Sequence, residues 1–156
     1  PMERFAKEAL LAKARERQLT NVRFLPFQPR ADLPLLRAAS DVQVSLYKSV
    51  AANDSFPSKI YEIMASGRPL LAGADDDSSV AALVQTARCG VCVRPGAAAA
   101  LADAILGLYR DPNERAAMGA RGRRYAEEHH SKIAAVRSYH ELFERIAAGK
   151  EQRAKG

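Results

Sequence analysis

The stretch Asn53-Asp54-Ser55-Phe56-Pro57-Ser58-Lys59-Ile60-Tyr61-Glu62 gathers side chains suited to holding an anion together with a polyol. Phe56 precedes a proline, which disfavours helical backbone, so a helix is predicted to open at Pro57. The amides of Ser58 and Lys59 then face outward at a helix N-terminus, a natural anion site. Lys59 is a cation in a first helical turn, where it opposes the macrodipole by ~0.3–1 kcal/mol. A bound anion is one reason to keep it there; a surface pair between Lys59 and Glu62 at i, i+3 is the other. Glu62 lies four residues after Ser58 on the same helix face, placed to accept hydrogen bonds from sugar hydroxyls. Asp54 can do the same from the loop on the other side. Two carboxylates around an anion could also form a metal centre, but no His is close in sequence, and hydroxyl recognition without metal is the preferred reading.

The other polar clusters carry less. Cys89-Gly90-Val91-Cys92 has C-x-x-C spacing, yet it enters a predicted strand, where positions three apart point to opposite faces. No second pair completes a zinc set, so two unconnected core thiols are expected. His129 and His130 are adjacent, point about 100° apart on a helix and cannot chelate; they mark a helix end. His140 lies beside an apolar stripe, as a packed or hydrogen-bonded imidazole. Asp75, Asp76 and Asp77 suit a turn that caps a helix with Ser78. Arg121, Arg123 and Arg124 read as a solvated face, with contact to anionic headgroups as the minor alternative.

These residues need a scaffold. A helix is predicted over 3–18, a short strand at 22–25 stopped by Pro26 and Pro29, and a helix over 31–39. A strand at 42–46 leads into the irregular stretch 48–56. The helix from Pro57 ends near Gly67, followed by a buried strand at 70–72. A helix over 79–87 closes at Gly90, and a strand at 91–93 is stopped by Pro95-Gly96. Helices follow over 98–110, from the cap Asp111-Pro112-Asn113-Glu114, and over about 131–147 with Ile133, Val136, Tyr139, Phe143 and Ile146 in one stripe. Residues 1–148 form the domain, and 149–156 a frayed polar tail. Alternating strands and helices mean an α/β fold: a Rossmann-like parallel sheet with helices on both faces. Ligands in such sheets sit at the carboxyl ends of the strands, which selects loops 26–30, 47–57, 73–78 and 94–96.

Composition narrows the classes. The 156 residues suffice for one core, and 47% hydrophobic with 27% charged residues is that of a globular chain. A formal charge of +6 and a pI of 9.6 permit anionic partners. The basic residues are scattered and not interleaved with aromatics, so nucleic acid is not an expected partner. No apolar run reaches the ~20 residues of a membrane helix. The first stretch is charged and does not read as a signal peptide, so a cytoplasmic location is expected. A chain opening on Pro1 and going almost at once into a helix suggests residues upstream.

From Asn21 to about His129 the sequence resembles the C-terminal domain of the retaining glycosyltransferases of family 4, which have the two-domain GT-B fold. The resemblance rests on Asn21-Val22-Arg23-Phe24-Leu25, Ala38-Ala39-Ser40-Asp41-Val42 and Tyr61-Glu62-Ile63-Met64-Ala65-Ser66-Gly67-Arg68-Pro69. It continues through Cys89-Gly90-Val91-Cys92-Val93-Arg94-Pro95-Gly96 and Leu101-Ala102-Asp103-Ala104-Ile105. It implies two acidic residues eight apart bracketing the donor sugar. Glu62 matches the one used on the ribose, and the catalytic position on the transferred sugar falls on Asp54, one methylene shorter. The turn between them is Ser55-Phe56-Pro57-Ser58, where Pro57 supplies no amide. Pro57-Ser58-Lys59 is similar to a subgroup found in surface-polysaccharide assembly. Phe27 falls where the family places the nucleobase, with a hydrophobic plug as the equal alternative.

The resemblance also implies absences. The family's domain starts with two further strands, central in the order 3-2-1-4-5-6, so strands 22–25 and 42–46 would flank a gap. The acceptor-binding N-terminal domain would be supplied elsewhere or by a partner chain, and this chain alone is not expected to turn over. The implied substrate is a UDP- or GDP-sugar, with no cofactor and with peripheral association at the inner membrane face as an option. A nucleotide-sugar epimerase of the same fold is the rival enzyme. A non-catalytic nucleotide-binding module, or one whose sheet a partner completes, is the rival outside catalysis.

Overall fold

The computed structural model describes residues 2–47 and 56–154, which fall into two compact units, Pro1–Leu33 and Pro34–Gly156. In the first, α1 (Met2–Glu16) carries Lys13 and Arg15 in its last turn, where cations oppose the exposed carbonyls. It ends through Gln18, left-handed at φ 51°. The strand expected at 22–25 does not form. Residues 22–29 run without a ladder, because strand hydrogen bonds need a neighbouring chain and this segment has none among the described residues. A single 3-10 turn, Arg30–Asp32, leads to α2 (Leu33–Ala38), so the helix expected at 31–39 is split in type at Leu33.

The second unit is built on three parallel strands in the order β1 (Gln43–Leu46), β2 (Leu70–Gly73), β3 (Gly90–Val93). Their register aligns Leu46, Gly73 and Val93, so the carboxyl ends of all three finish at one level. The crossovers are α3 (Lys59–Ala65) and α4 (Ser79–Ala87). Both connections step in the same direction across the sheet, and right-handed crossovers then put both helices on one face. The core forms there from Ile60, Ile63, Met64, Leu70, Ala72, Val80, Val84 and Cys89.

Local chemistry sets the boundaries. Gly67 at φ 69° turns the chain out of α3, a conformation costly for any residue with a Cβ. Ser78 caps α4 as expected: its hydroxyl accepts from the Ala81 amide at 3.1 Å and donates to the Asp75 carbonyl at 2.6 Å. The same helix closes at Arg88, left-handed at φ 49°, two residues before the glycine expected to end it. After β3 come α5 (Ala98–Arg110), α6 (Pro112–His129) and α7 (Lys132–Ala154). Asp111 caps α6 through the Glu114 amide at 2.9 Å, with Pro112 at the first position. α7 continues past 147 through most of the segment expected to be frayed.

α6 is strongly polar yet joins the core, and its glycines explain how. A Cβ on Gly119 would lie 2.1 Å from the Gly67 carbonyl oxygen, and one on Gly122 would lie 2.9 Å from the Cys89 Cβ. Gly122 also faces Met64. As α6 advances from 119 to 122, its contacts on α3 retreat from 67 to 64, so the two helices run antiparallel at close range. No helix among the described residues is long and apolar enough to cross a membrane.

Candidate functional site

The aligned strand ends place loop 73–78, loop 94–96 and Tyr47, which enters loop 47–57, side by side, as the fold-level rule requires. A cavity of about 250 Å³ opens there, lined by Leu46, Tyr47, Gly73, Val93, Arg94 and Leu101 among others. Asp76 and Arg94 join two of these loops through a two-pronged ion pair at 2.8 and 3.0 Å. Asp76 is thereby engaged with a cation, while the capping of α4 falls to Ser78.

The expected anion site lies at the start of α3, with one change. The helix begins at Lys59, and Pro57-Ser58 form the turn into it. The amides of Ile60 and Tyr61 donate to the carbonyls of Pro57 and Ser58, both at 3.1 Å. Those of Ser58 and Lys59 have no acceptor among the described residues, as predicted for the first positions of a helix. The Ser58 side chain makes no capping hydrogen bond, and Ser58 and Lys59 are both exposed. Lys59 forms no ion pair with Glu62, which removes the surface-pair explanation for its presence.

Glu62 is held instead by Arg37 of α2, whose Nη2 donates to Glu62 Oε2. Arg37 is 22% exposed and Glu62 53% exposed, so the carboxylate is fixed on one side and open to solvent on the other. That arrangement suits a carboxylate that accepts hydrogen bonds from a diol. Sequence reading missed Arg37, which lies 25 residues away on a helix whose apolar residues drew the attention. Arg68 donates to the Ala38 carbonyl and ties the turn after α3 to the end of α2.

Asp54, the expected catalytic carboxylate, and Ser55 lie outside the described residues. Phe27 belongs to the first unit, where its ring is 96% exposed and plugs no core. No group of His, Cys, Asp or Glu suited to a metal ion occurs among the described residues.

The remaining candidates resolve in physical terms. Cys89 and Cys92 are free thiols, as expected, but for a different reason. Cys89 precedes the strand, so alternation does not apply, and both side chains pack on the same core. Burial pushes the Cys89 thiol up to about 11 and raises that of Cys92 as well. Arg121 is no solvated residue: it donates to the Arg88 carbonyl at 2.8 Å, at the C-terminus of α4, and pairs with Glu114 at 2.6 Å. Arg123 pairs with Glu127 on the surface of α6. His140 is exposed beside Glu144. His130 ends α6 as expected, and its imidazole is held below the usual histidine range by burial and then by the charge of His129.

Comparison with known proteins agrees with the fold. The chain is similar to HepE from Anabaena, solved in complex with UDP-glucose, at 24% identity and a TM-score of 0.72, over 92% of this chain and 38% of that one. It is similar to sucrose-phosphate synthase from Thermosynechococcus elongatus at 22% identity and a TM-score of 0.69, over 92% of this chain and 35% of that one. The chain therefore spans little more than a third of either, and the likeness establishes a shared α/β fold of the GT-B type. No curated protein matches it. The family model of the group 1 glycosyl transferases matches residues 4–125, well over half of the sequence, and the chain belongs to that family.

Proposed function

We propose that this chain is the donor-binding part of a retaining, nucleotide-sugar-dependent glycosyltransferase of family 4, in the subgroup marked by Pro57-Ser58-Lys59. The observation that carries the reading is the start of α3. Two amides without acceptors among the described residues, and a Lys59 with no ion pair among them, stand one turn from a carboxylate that Arg37 holds open to solvent. The donor diphosphate lies on the Ser58 and Lys59 amides, beside the Lys59 ammonium. Glu62 accepts from the ribose hydroxyls. The family resemblance assigns Asp54 and Ser55 to the transferred sugar and Phe27 to the base.

The chemistry follows from where charge develops. As the glycosidic bond to the diphosphate breaks, negative charge grows on the leaving phosphate, and fixed amides with a cation stabilise it without reorganising. Lys59 serves better as a point charge on a phosphate than as a hydrogen-bonding fork. The acceptor, its binding domain and the two strands preceding α1 in the family come from elsewhere in the intact protein or from a partner. Polysaccharide or glycolipid assembly on the cytoplasmic face of a membrane is the setting that the subgroup resemblance favours. The test is product stereochemistry in the intact protein supplied with UDP- and GDP-sugars. An axial donor giving an axial product supports retention, whereas inversion, or epimerised free sugar, contradicts the reading.

A further inference from the structure

The start of α3 has little of its own to hold it. The helix is seven residues long, its N-cap makes no side-chain hydrogen bond, and Pro57 donates none from its backbone. Yet the turn 56–58 must be fixed if the Ser58 and Lys59 amides are to point at one place. The rings around it supply what the backbone lacks. Phe56 is stacked on Tyr61 with centroids 4.9 Å apart and planes at 28°. On Tyr61 lies the imidazole of His130, at 4.3 Å and 40°. Tyr125 stands 5.7 Å from His130 and 4.4 Å from His129.

The backbone geometry explains how a residue so distant in sequence arrives there. α6 runs antiparallel to α3, with Gly119 against Gly67 and Gly122 against Met64. Extending that pairing by two more turns of α6 brings its C-terminus to the first turn of α3. His130 is the residue at that C-terminus, and its amide donates to the Ala126 carbonyl at 2.9 Å. A close helix pair seated on backbone contacts is stiff, so the imidazole is delivered to Tyr61 from a rigid support. His130 also lies beyond the residues 4–125 that the family model matches.

We propose that His130 is a positioning residue for the donor site: packed at a tilt against Tyr61, it clamps the Phe56–Ser58 turn and so fixes the amides that meet the donor diphosphate. This rests on the donor-site reading above for its consequence, though not for the clamp itself. The ring face carries the effect, so an uncharged aromatic at 130 should serve as well. Aromatic ring contacts shift a local equilibrium by roughly 2- to 10-fold.

The experiment is amide hydrogen exchange across residues 56–62 in the intact protein, for wild type, His130→Ala and His130→Phe. Titration with UDP, GDP and their glucose conjugates accompanies it. Exchange at 56–62 should rise roughly 2- to 10-fold in His130→Ala and return to the wild-type rate in His130→Phe, with β2 amides 70–73 unchanged throughout. Affinity for whichever nucleotide binds the wild type should fall and recover in parallel. Unchanged exchange in His130→Ala overturns the proposal. So does failure of His130→Phe to restore protection, or a rise shared equally by 70–73, which would make His130 a general stability residue. If no nucleotide binds the wild type, the donor-site reading fails, while the exchange pattern still decides the clamp.

Discussion

The two faces of the sheet are both buried at β2, where Leu70 and Leu71 have no exposed surface, and differ sharply at β1. On the α3, α4 and α6 side, Leu70, Ala72, Ile60, Met64 and Val80 have no exposed surface at all. On the α5 side, Val44 is 48% and Leu46 60% exposed, and Ile105, Leu106 and Tyr109 on α5 are exposed as well. The difference comes from connectivity. Two successive crossovers in one direction place their helices on the same face, and only after the last strand does the chain reach the other. The candidate site residues follow the same division: Ser58, Lys59 and Glu62 belong to α3 and its N-terminal turn, on the buried side, and Glu62 is held by Arg37 of α2.

The largest test of this asymmetry lies at the junction of α6 with α3. Gly119→Ala puts a Cβ onto a backbone oxygen that cannot yield, and should cost about 3–4 kcal/mol in urea unfolding. A cost below about 1 kcal/mol would mean that α6 sits farther from α3. Next comes the direct comparison of faces. Leu70→Ala should destabilise by about 3 kcal/mol and Leu46→Ala by less than about 0.5 kcal/mol. Equal losses would show that the Leu46 face is covered in solution.

Alkaline pH sharpens the same contrast. In the fold the Cys89 thiol is raised from 9.0 to about 11, so its neutral form is favoured by folding. Its contribution is complete below pH 9 and is lost as pH rises through 11, because the unfolded chain ionises first. Wild type should therefore lose about 1–2 kcal/mol more than Cys89→Ala between pH 8 and 10.5. Parallel curves would contradict a buried Cys89. The last test reads binding rather than stability, at Arg37. Arg37→Ala frees the Glu62 carboxylate without removing it, and nucleotide affinity should fall about 5-fold, roughly 1 kcal/mol, with little change in melting temperature.

How much of this was legible in the sequence depends on how local the signal was. The bounds of α4 and α5, and the caps at Ser78 and Asp111, are written in neighbouring residues and were read to the residue. The three strands of the sheet show as short apolar runs between turn residues. The strand expected at 22–25 had the same local signal, but ladder formation depends on a partner that sequence pattern does not reveal. The bend at Arg88 was hidden because nothing about an arginine announces a left-handed cap. Near the candidate site, the start of α3 at Ser58 and Lys59 was legible because helix-terminus chemistry is local. Arg37 and His130 were not: one reaches Glu62 across 25 residues, and the other reaches Tyr61 through a helix whose contact face is glycine. A polar helix that buries glycines leaves no hydrophobic stripe to read.

The central claim is that the start of α3 binds a nucleotide-sugar donor, and calorimetric titration tests it most directly. The intact protein would be titrated with UDP, GDP and their glucose conjugates, alongside Glu62→Ala at matched thermal stability. The account predicts that one nucleotide series binds the wild type and is weakened about 10- to 100-fold by the substitution, the loss of a charged hydrogen-bond acceptor. Binding of equal strength in wild type and Glu62→Ala, or none in a well-folded wild type, would contradict it.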